Sequence, residues 1–294
     1  MSKVYRVSLF FILNFSFLIL SCAHAVRQDI TDTVTDDYGR VVAVPSHPTR
    51  VVSTSPAVTE ILFALGAQDL LVGRTDFCTY PTEAEKITSI GGISNLNIER
   101  ILYLDPDLII SGSMVSKKVT DQLDAMGTPI VCIIEKPHFE ALFDNIKAIG
   151  KLVGKEEAAD SLNALLRDRV SQLNTEHSTL DTKSCYYVVG FGSSGNYTAG
   201  GDTFINDIIR MAGGRNIAEN VEGWSYSLEA LMKENPDFII IRREDSAAFC
   251  GMKPYNTLNA VKEGRVIGIE SGTLDLQVPR NIDAILYLRQ RMGN

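Results

Sequence analysis

The chain predicts an α/β fold: two α/β lobes with mostly parallel sheets, joined by a single long spine helix. Three observations carry that expectation. A pattern of fourteen residues occurs twice, at 97–110 and 227–240. Short apolar strands alternate with helical segments around both copies. Between the copies lies one uninterrupted amphipathic stretch of about 20 residues, close to 30 Å of helix.

The first residues form a targeting segment. Lys3 and Arg6 make a basic start, and an apolar run from Val7 to Leu20 follows. That run is shorter than the roughly 20 apolar residues a bilayer span requires, so residues 1–21 read as an export signal. Ile19-Leu20-Ser21-Cys22 has the form of a bacterial lipobox, and Ala23-His24-Ala25 fits ordinary small-x-small cleavage. The lipobox is the preferred reading, with Cys22 as the lipidated first residue and the protein exported to the periplasm or anchored to the cell envelope.

An N-terminal α/β lobe is expected over residues 36–137. Val41–Val44 and Arg50–Thr54 are β-rich and flank a turn at Pro45 and Pro48. Pro56 to Leu65 reads as a helix closed by Gly66. Leu70–Val72, Leu108–Ser111 and Ile130–Ile134 are further strands, with a helix at Lys117–Met126 ended by Gly127. Residues 138–178 form a helical linker. Phe139–Val153 stops at Gly154, and the spine runs from Glu156 to about Glu176, with Leu162, Leu165, Leu166, Val170 and Leu173 as its apolar stripe. The C-terminal lobe, 179–294, opens on a strand at Cys185–Val189. It continues with a helix at Phe204–Ala212, a strand at Val266–Ile269 and a terminal helix at Ile282–Arg291.

Each copy of the repeat has a helix-capping residue, a glutamate two places on, a short helix, a Pro-Asp turn and an apolar strand. Asn97 and Ser227 are good N-caps, which puts Glu99 and Glu229 in the first turn of their helices. The helix dipole alone would favour an acid there. That explanation suffices for one glutamate but is weaker for two in the same setting, both exposed and free to meet a cation on a partner.

Composition narrows the function. Net charge is −8 without a Lys/Arg cluster, which excludes nucleic acid and a polybasic membrane contact. The spacings of Cys78, Cys132, Cys185 and Cys250 match no zinc pattern; buried thiols and disulfides both remain open. His24, His47, His138 and His177 make no metal cluster, and no catalytic signature is present, so neither enzyme activity nor a cofactor is expected. Gly190-Phe191-Gly192-Ser193-Ser194-Gly195 matches G-x-G-x-x-G after a strand, and a nucleotide-using enzyme is the rival reading it offers. A dinucleotide fingerprint needs a helix opening at the third glycine, yet here the helix starts only near Thr203. The turn reads better as one wall of a ligand cleft. Phe77 and Tyr80, Tyr197, and Trp224 with Tyr226 follow strands or precede the second copy, where open α/β sheets bind ligands.

Asp37-Tyr38-Gly39-Arg40, Arg50-Val51-Val52-Ser53, Thr59-Glu60-Ile61-Leu62, Tyr80-Pro81, Asn97-Ile98-Glu99-Arg100-Ile101, Pro106-Asp107-Leu108-Ile109, Ala212-Gly213-Gly214, Gly223-Trp224, Ser227-Leu228-Glu229 and Pro279-Arg280 come in an order and spacing that carry a resemblance. Over nearly all of the mature chain, the sequence resembles the periplasmic substrate-binding proteins of the cobalamin and iron-siderophore ABC importers. The resemblance implies a ligand held between two lobes with limited hinge motion, and a monomer that delivers it to a permease dimer. It also implies that Glu99 and Glu229 dock on arginines of that permease.

The resemblance further implies a ligand site of Phe77, Tyr80, Ile93, Ser94, Tyr197, Trp224, Arg242 and Arg280. Tyr80, Tyr197 and Trp224 resemble the aromatic positions of cobalamin binders, while Ile93 departs from an aromatic of that group. Related haem binders carry an iron-ligating tyrosine where this chain has Gly91-Gly92-Ile93-Ser94-Asn95. A ferric siderophore, being anionic, would need basic residues such as Arg74, Arg242, Arg243 and Arg280. The expected cargo is therefore a corrinoid first, a ferric siderophore second and haem last.

Overall fold

The computed structural model describes residues 30–175 and 182–293. The export segment, Cys22 and both cleavage sites lie outside the described residues. An antiparallel hairpin of β1 (Ile30–Thr35) and β2 (Val41–Pro45) comes first. Its turn holds the sheet that follows: Asp36 binds Arg40 at 2.6 Å, and Arg40 Nη2 donates to the Ile130 carbonyl at 2.8 Å.

The first lobe runs β3 (Val51–Ser53), α1 (Pro56–Ala64), β4 (Leu71–Arg74), a small hairpin of β5 (Gly91–Gly92) and β6 (Asn95–Leu96), α2 (Ile98–Tyr103), β7 (Leu108–Ser111), α3 (Lys117–Ala125) and β8 (Ile130–Cys132). Two linker helices follow, α4 (Ala141–Leu152) and the spine α5 (Glu156–Thr175). The second lobe runs β9 (Lys183–Val188), α6 (Phe204–Met211), β10 (Gly214–Asn216), α7 (Leu228–Glu234), β11 (Phe238–Arg242), α8 (Arg243–Gly251), α9 (Asn259–Lys262), β12 (Val266–Ile269) and α10 (Asn281–Met292).

The two large sheets share one topology. The first has the order β4-β3-β7-β8, the second β10-β9-β11-β12, and every pairing in both is parallel. Chain order within each sheet is thus second, first, third, fourth. Strand order reverses between the first and third strands of each, and ligands of open α/β sheets bind outside the carboxyl ends of the strands at such a switch. Both switch points face the same cleft.

Strand alternation divides the core into layers. Val51, Leu108, Ile110 and Val131 of the first sheet point inward, as do Cys185, Tyr187 and Ile240 of the second. These join α1, α4, α6 and α10 in one continuous cluster through Leu142, Ile146, Leu166, Ile205 and Ile285. The alternate residues, Val52, Ile109 and Ile130 in one lobe and Tyr186, Val188 and Ile239 in the other, form separate outer cores.

The spine is narrower on its buried side than the leucine spacing predicts. Leu166 is buried, and Leu162 and Val170 pack against the core with Ala159, but Leu165 is exposed. At about 100° per residue Leu165 falls well off the line through 159, 162, 166 and 170. The helices α4 and α5 cross closely at Gly150, where a Cβ would lie 2.6 Å from that of Ala159. Cys78, Cys132 and Cys185 are buried free thiols, and Cys250 is a half-buried one.

Candidate functional site

The carboxyl-terminal ends of the strands of both lobes surround a cleft of about 560 Å³. From the first lobe come Pro56 and Glu60 of α1, Phe77, Thr79 and Tyr80 after β4, Ile93 and Ser94 at the tip of the β5–β6 hairpin, and Met114 after β7. From the second come Val189 after β9, Trp224 before α7, Arg242 at the end of β11, and Ser271, Gly272, Asp275, Leu276 and Arg280 between β12 and α10. Phe77, Tyr80 and Trp224 are 60%, 43% and 47% exposed, large aromatic surfaces presented at the cleft.

Seven of the residues expected at the ligand site line this cleft: Phe77, Tyr80, Ile93, Ser94, Trp224, Arg242 and Arg280. Tyr197 does not. Its backbone bridges Gly190 on one side and Ser225 on the other, and its ring lies along Gly190 and Gly195. A Cβ on Gly190 would stand 3.0 Å from that ring, so the glycines of the G-x-G-x-x-G turn make room for a tyrosine of the same chain. Tyr255 fixes the turn from below, accepting from the Gly192 amide at 2.9 Å and donating to Asn196 at 2.6 Å. The helix α6 begins only at the Thr203 cap. Among the described residues, no α-helix opens at the third glycine of the turn, as a dinucleotide fingerprint requires.

Two of the arginines offered for an anionic ligand are elsewhere. Arg74 is buried, donating to the carbonyls of Ala84, Thr75 and Glu85, and so it anchors the loop that carries Tyr80. Arg243 is exposed on α8, outside the cleft lining. Tyr226 is half-buried and packs against the second lobe's outer core, its ring 5.6 Å from that of Tyr186.

The remaining arginines are both paired. Arg242 meets Asp245 at 2.7 Å. Arg280 Nε donates to both carboxylate oxygens of Glu60, at 3.0 and 2.9 Å, and its Nη1 donates to Thr273 at 3.0 Å. The Arg280 guanidinium also lies over the Tyr80 ring, 4.2 Å from its centre. Glu60 belongs to the first lobe and Arg280 to the second, so this pair ties the lobes together at the cleft floor. Burial is the largest influence on Glu60 and pushes its carboxyl from 4.5 up to about 7, against the pull of Arg280. On the second-lobe wall, buried Tyr187 donates to Asp275, and burial raises its phenol well above the ordinary value.

Glu60 and Asp275 were not among the expected site residues. A second clamp joins the lobes beside the cleft: buried Gln277 accepts from the Lys136 amide at 3.0 Å and donates to the carbonyls of Lys136 and His138 at 2.8 and 3.0 Å.

The repeat is built alike in both lobes. Asn97 accepts from the Arg100 amide at 2.9 Å and Ser227 from the Ala230 amide at 3.0 Å, leaving Glu99 and Glu229 exposed in the first turns of α2 and α7. Asp107 and Asp237 of the Pro-Asp turns bind back to the first strand of their lobes, at Thr49–Arg50 and at Ser184. Among the described residues, no group of His, Cys, Asp and Glu is placed to hold a metal ion, and no helix is long and apolar enough to cross a membrane.

The profile of the periplasmic binding proteins matches residues 51–273, which includes both sheets, the spine and most of the cleft. The chain belongs to the periplasmic binding protein family. It is therefore a binding component of transport, not an enzyme. An uncharacterised ABC transporter substrate-binding lipoprotein of Bacillus subtilis is 28% identical over 265 residues, 88% of this chain and 84% of that one. A cobalamin-binding protein of Halobacterium salinarum is also 28% identical, over 279 residues, covering 89% of this chain and 74% of that one. Among solved structures, a periplasmic heme binding protein from Pseudomonas aeruginosa superposes with a TM-score of 0.75 at 26% identity, over 82% of this chain and 91% of that one. The two-lobed periplasmic binding protein architecture expected for this chain is thus the one it has.

Proposed function

We propose that this protein is the substrate-binding component of an ABC importer and that its cargo is a corrinoid. The observation that carries the choice of cargo is the state of the cleft's cations. Among the lining residues these are Arg242 and Arg280, each paired with an acid of its own. What the cleft offers a ligand is flat aromatic surface on Phe77, Tyr80 and Trp224 with hydrogen-bonding groups between them. That suits a large, amide-rich, nearly neutral macrocycle better than a polyanionic ferric siderophore. Haem fits less well, because Tyr80 is the lining's one phenol and no histidine lines the cleft.

The cobalamin-binding relative supports this reading, and the lipoprotein relative supports the importer role and a lipid anchor at Cys22. Glu99 and Glu229 serve as the docking acids for arginines of the permease dimer. Charges at such a rim set orientation and encounter rate more than affinity. The carrier acts as a monomer, exported and held to the envelope by its acyl chains.

Titration with cyanocobalamin tests the cargo. Trp224 is the sole tryptophan, so its emission reports directly on the cleft. Saturable quenching and matching calorimetric heat at micromolar ligand or below are expected. A flat response in both, with haemin or a ferric siderophore binding instead, removes the corrinoid.

A further inference from the structure

We propose that Glu60 is a specificity-determining residue of the cleft: by holding the charge of Arg280, it makes the site reject anionic metal chelates. The inference rests on the reading of the cleft as a site for a neutral macrocycle and adds the residue that enforces it.

The geometry separates the roles of the two partners. Arg280 lines the cleft and stacks on Tyr80, so its guanidinium sits where a ligand would lie. Glu60, at the same lining, approaches it from α1 and is 4% exposed, which keeps the counter-charge away from solvent. Glu270, at 4.0 Å from Arg280, is mostly in water and screens far less. With Glu60 ionised the pair presents no net charge to the cleft. Without that carboxylate, the Arg280 guanidinium, on a side chain 12% exposed and lying over the Tyr80 ring, would present an unbalanced charge to the ligand. A planar cation beside aromatic walls is the chemistry that captures carboxylate- or catecholate-bearing chelates. One buried side chain therefore separates a site for neutral ligands from a site for anions.

Removing one partner of a buried ion pair costs stability by leaving the other charge unmatched. Glu60→Gln, which keeps the size and a hydrogen-bond acceptor for Arg280, is therefore the milder replacement, and each variant is first shown to be folded. The test uses the mature protein at pH 8, where Glu60 is ionised, with cyanocobalamin as the neutral probe and a trianionic ferric tris-catecholate as the anionic one. Wild-type protein should bind the first and not the second. Glu60→Gln should gain at least ten-fold affinity for the tris-catecholate over wild type, with the cyanocobalamin affinity of the same variant recorded alongside. Glu60→Met, which fills the space without an acceptor, should gain likewise. The double variant Glu60→Gln/Arg280→Gln should lose the gain, which assigns it to the guanidinium. Folded single variants that bind the anion no better than wild type overturn the proposal, as does a gain that persists in the double variant. If wild type binds no cyanocobalamin, the corrinoid reading fails by itself, and the gain between wild type and Glu60→Gln still decides the role of Glu60.

Discussion

Asp105 and Asn235 hold the same left-handed backbone, φ 46° and 44°, at the same step of two helix exits 130 residues apart. Each ends its helix, precedes a proline and lets the following aspartate reach back to its lobe's first strand. They are the described non-glycine residues with positive φ, which ties the duplicated sequence to a duplicated conformation.

This conformation sets the first prediction. Asp and Asn visit it more readily than other side chains, and a β-branched residue there is strained. Asp105→Val should lose about 1–2 kcal/mol, whereas Asp105→Gly should stay within about 0.5 kcal/mol of wild type. Urea unfolding of both variants checks the pair of values.

Glu60 gives a pH dependence of known sign. Its carboxyl is raised by burial from 4.5 to about 7, so the folded protein keeps a proton that the unfolded chain releases across that window. The contribution is fully present below pH 4.5 and is lost as pH rises through about 7. The charged groups that face it are Arg280, which opposes the shift, and Glu270, which adds to it. Wild type should therefore lose stability relative to Glu60→Gln between pH 5 and pH 8. Arg280→Met, which strands the buried carboxylate, should cost about 3 kcal/mol at pH 8 and clearly less at pH 5. Thermal melts across this range measure both.

The aromatic residues should divide by position. Trp224→Ala and Phe77→Ala each remove exposed cleft surface and should weaken cyanocobalamin binding at least ten-fold. Tyr197→Phe keeps the ring against Gly190 and Gly195 and should leave affinity within about two-fold, because that ring packs on its own loop. Calorimetry on the three variants distinguishes the cases.

Docking should separate from binding. Glu99→Lys/Glu229→Lys should abolish transport into permease-containing proteoliposomes while cyanocobalamin affinity stays unchanged. Each reversal also sets a cation against a helix N-terminus and should cost about 0.3–1 kcal/mol of stability. Unimpaired transport by the double variant would remove the docking role.

The lobes were legible in the sequence because their signals are local. A cap, an acid, a Pro-Asp step and four apolar residues specify α2–β7 and α7–β11 without reference to anything distant. Loops that follow such strands collect at one end of a sheet, so Phe77, Tyr80 and Trp224 could be placed beside a cleft from chain order alone. Tyr197 follows the same rule yet misses the cleft, since its position depends on bridges to Gly190 and Ser225 that no spacing reveals. Glu60 was invisible for a related reason. It reads as a polar residue on a short helix, and its partner lies 220 residues away. The β5–β6 hairpin, with two residues in each strand, is too short for a periodic signal.

The continuous inner core, from Val51 through Leu142 and Leu166 to Ile285, decides how a full carrier can differ from an empty one. Swinging the lobes apart would shear a close-packed interior, and such interiors resist graded deformation. The gap between Glu99 and Glu229 is thus held like the jaws of a locked caliper. A membrane partner gripping both would find nearly the same span with or without cargo. If a cargo sits in the cleft as proposed, its presence would have to be signalled through the loops around Phe77, Tyr80 and Trp224, or through its own exposed face.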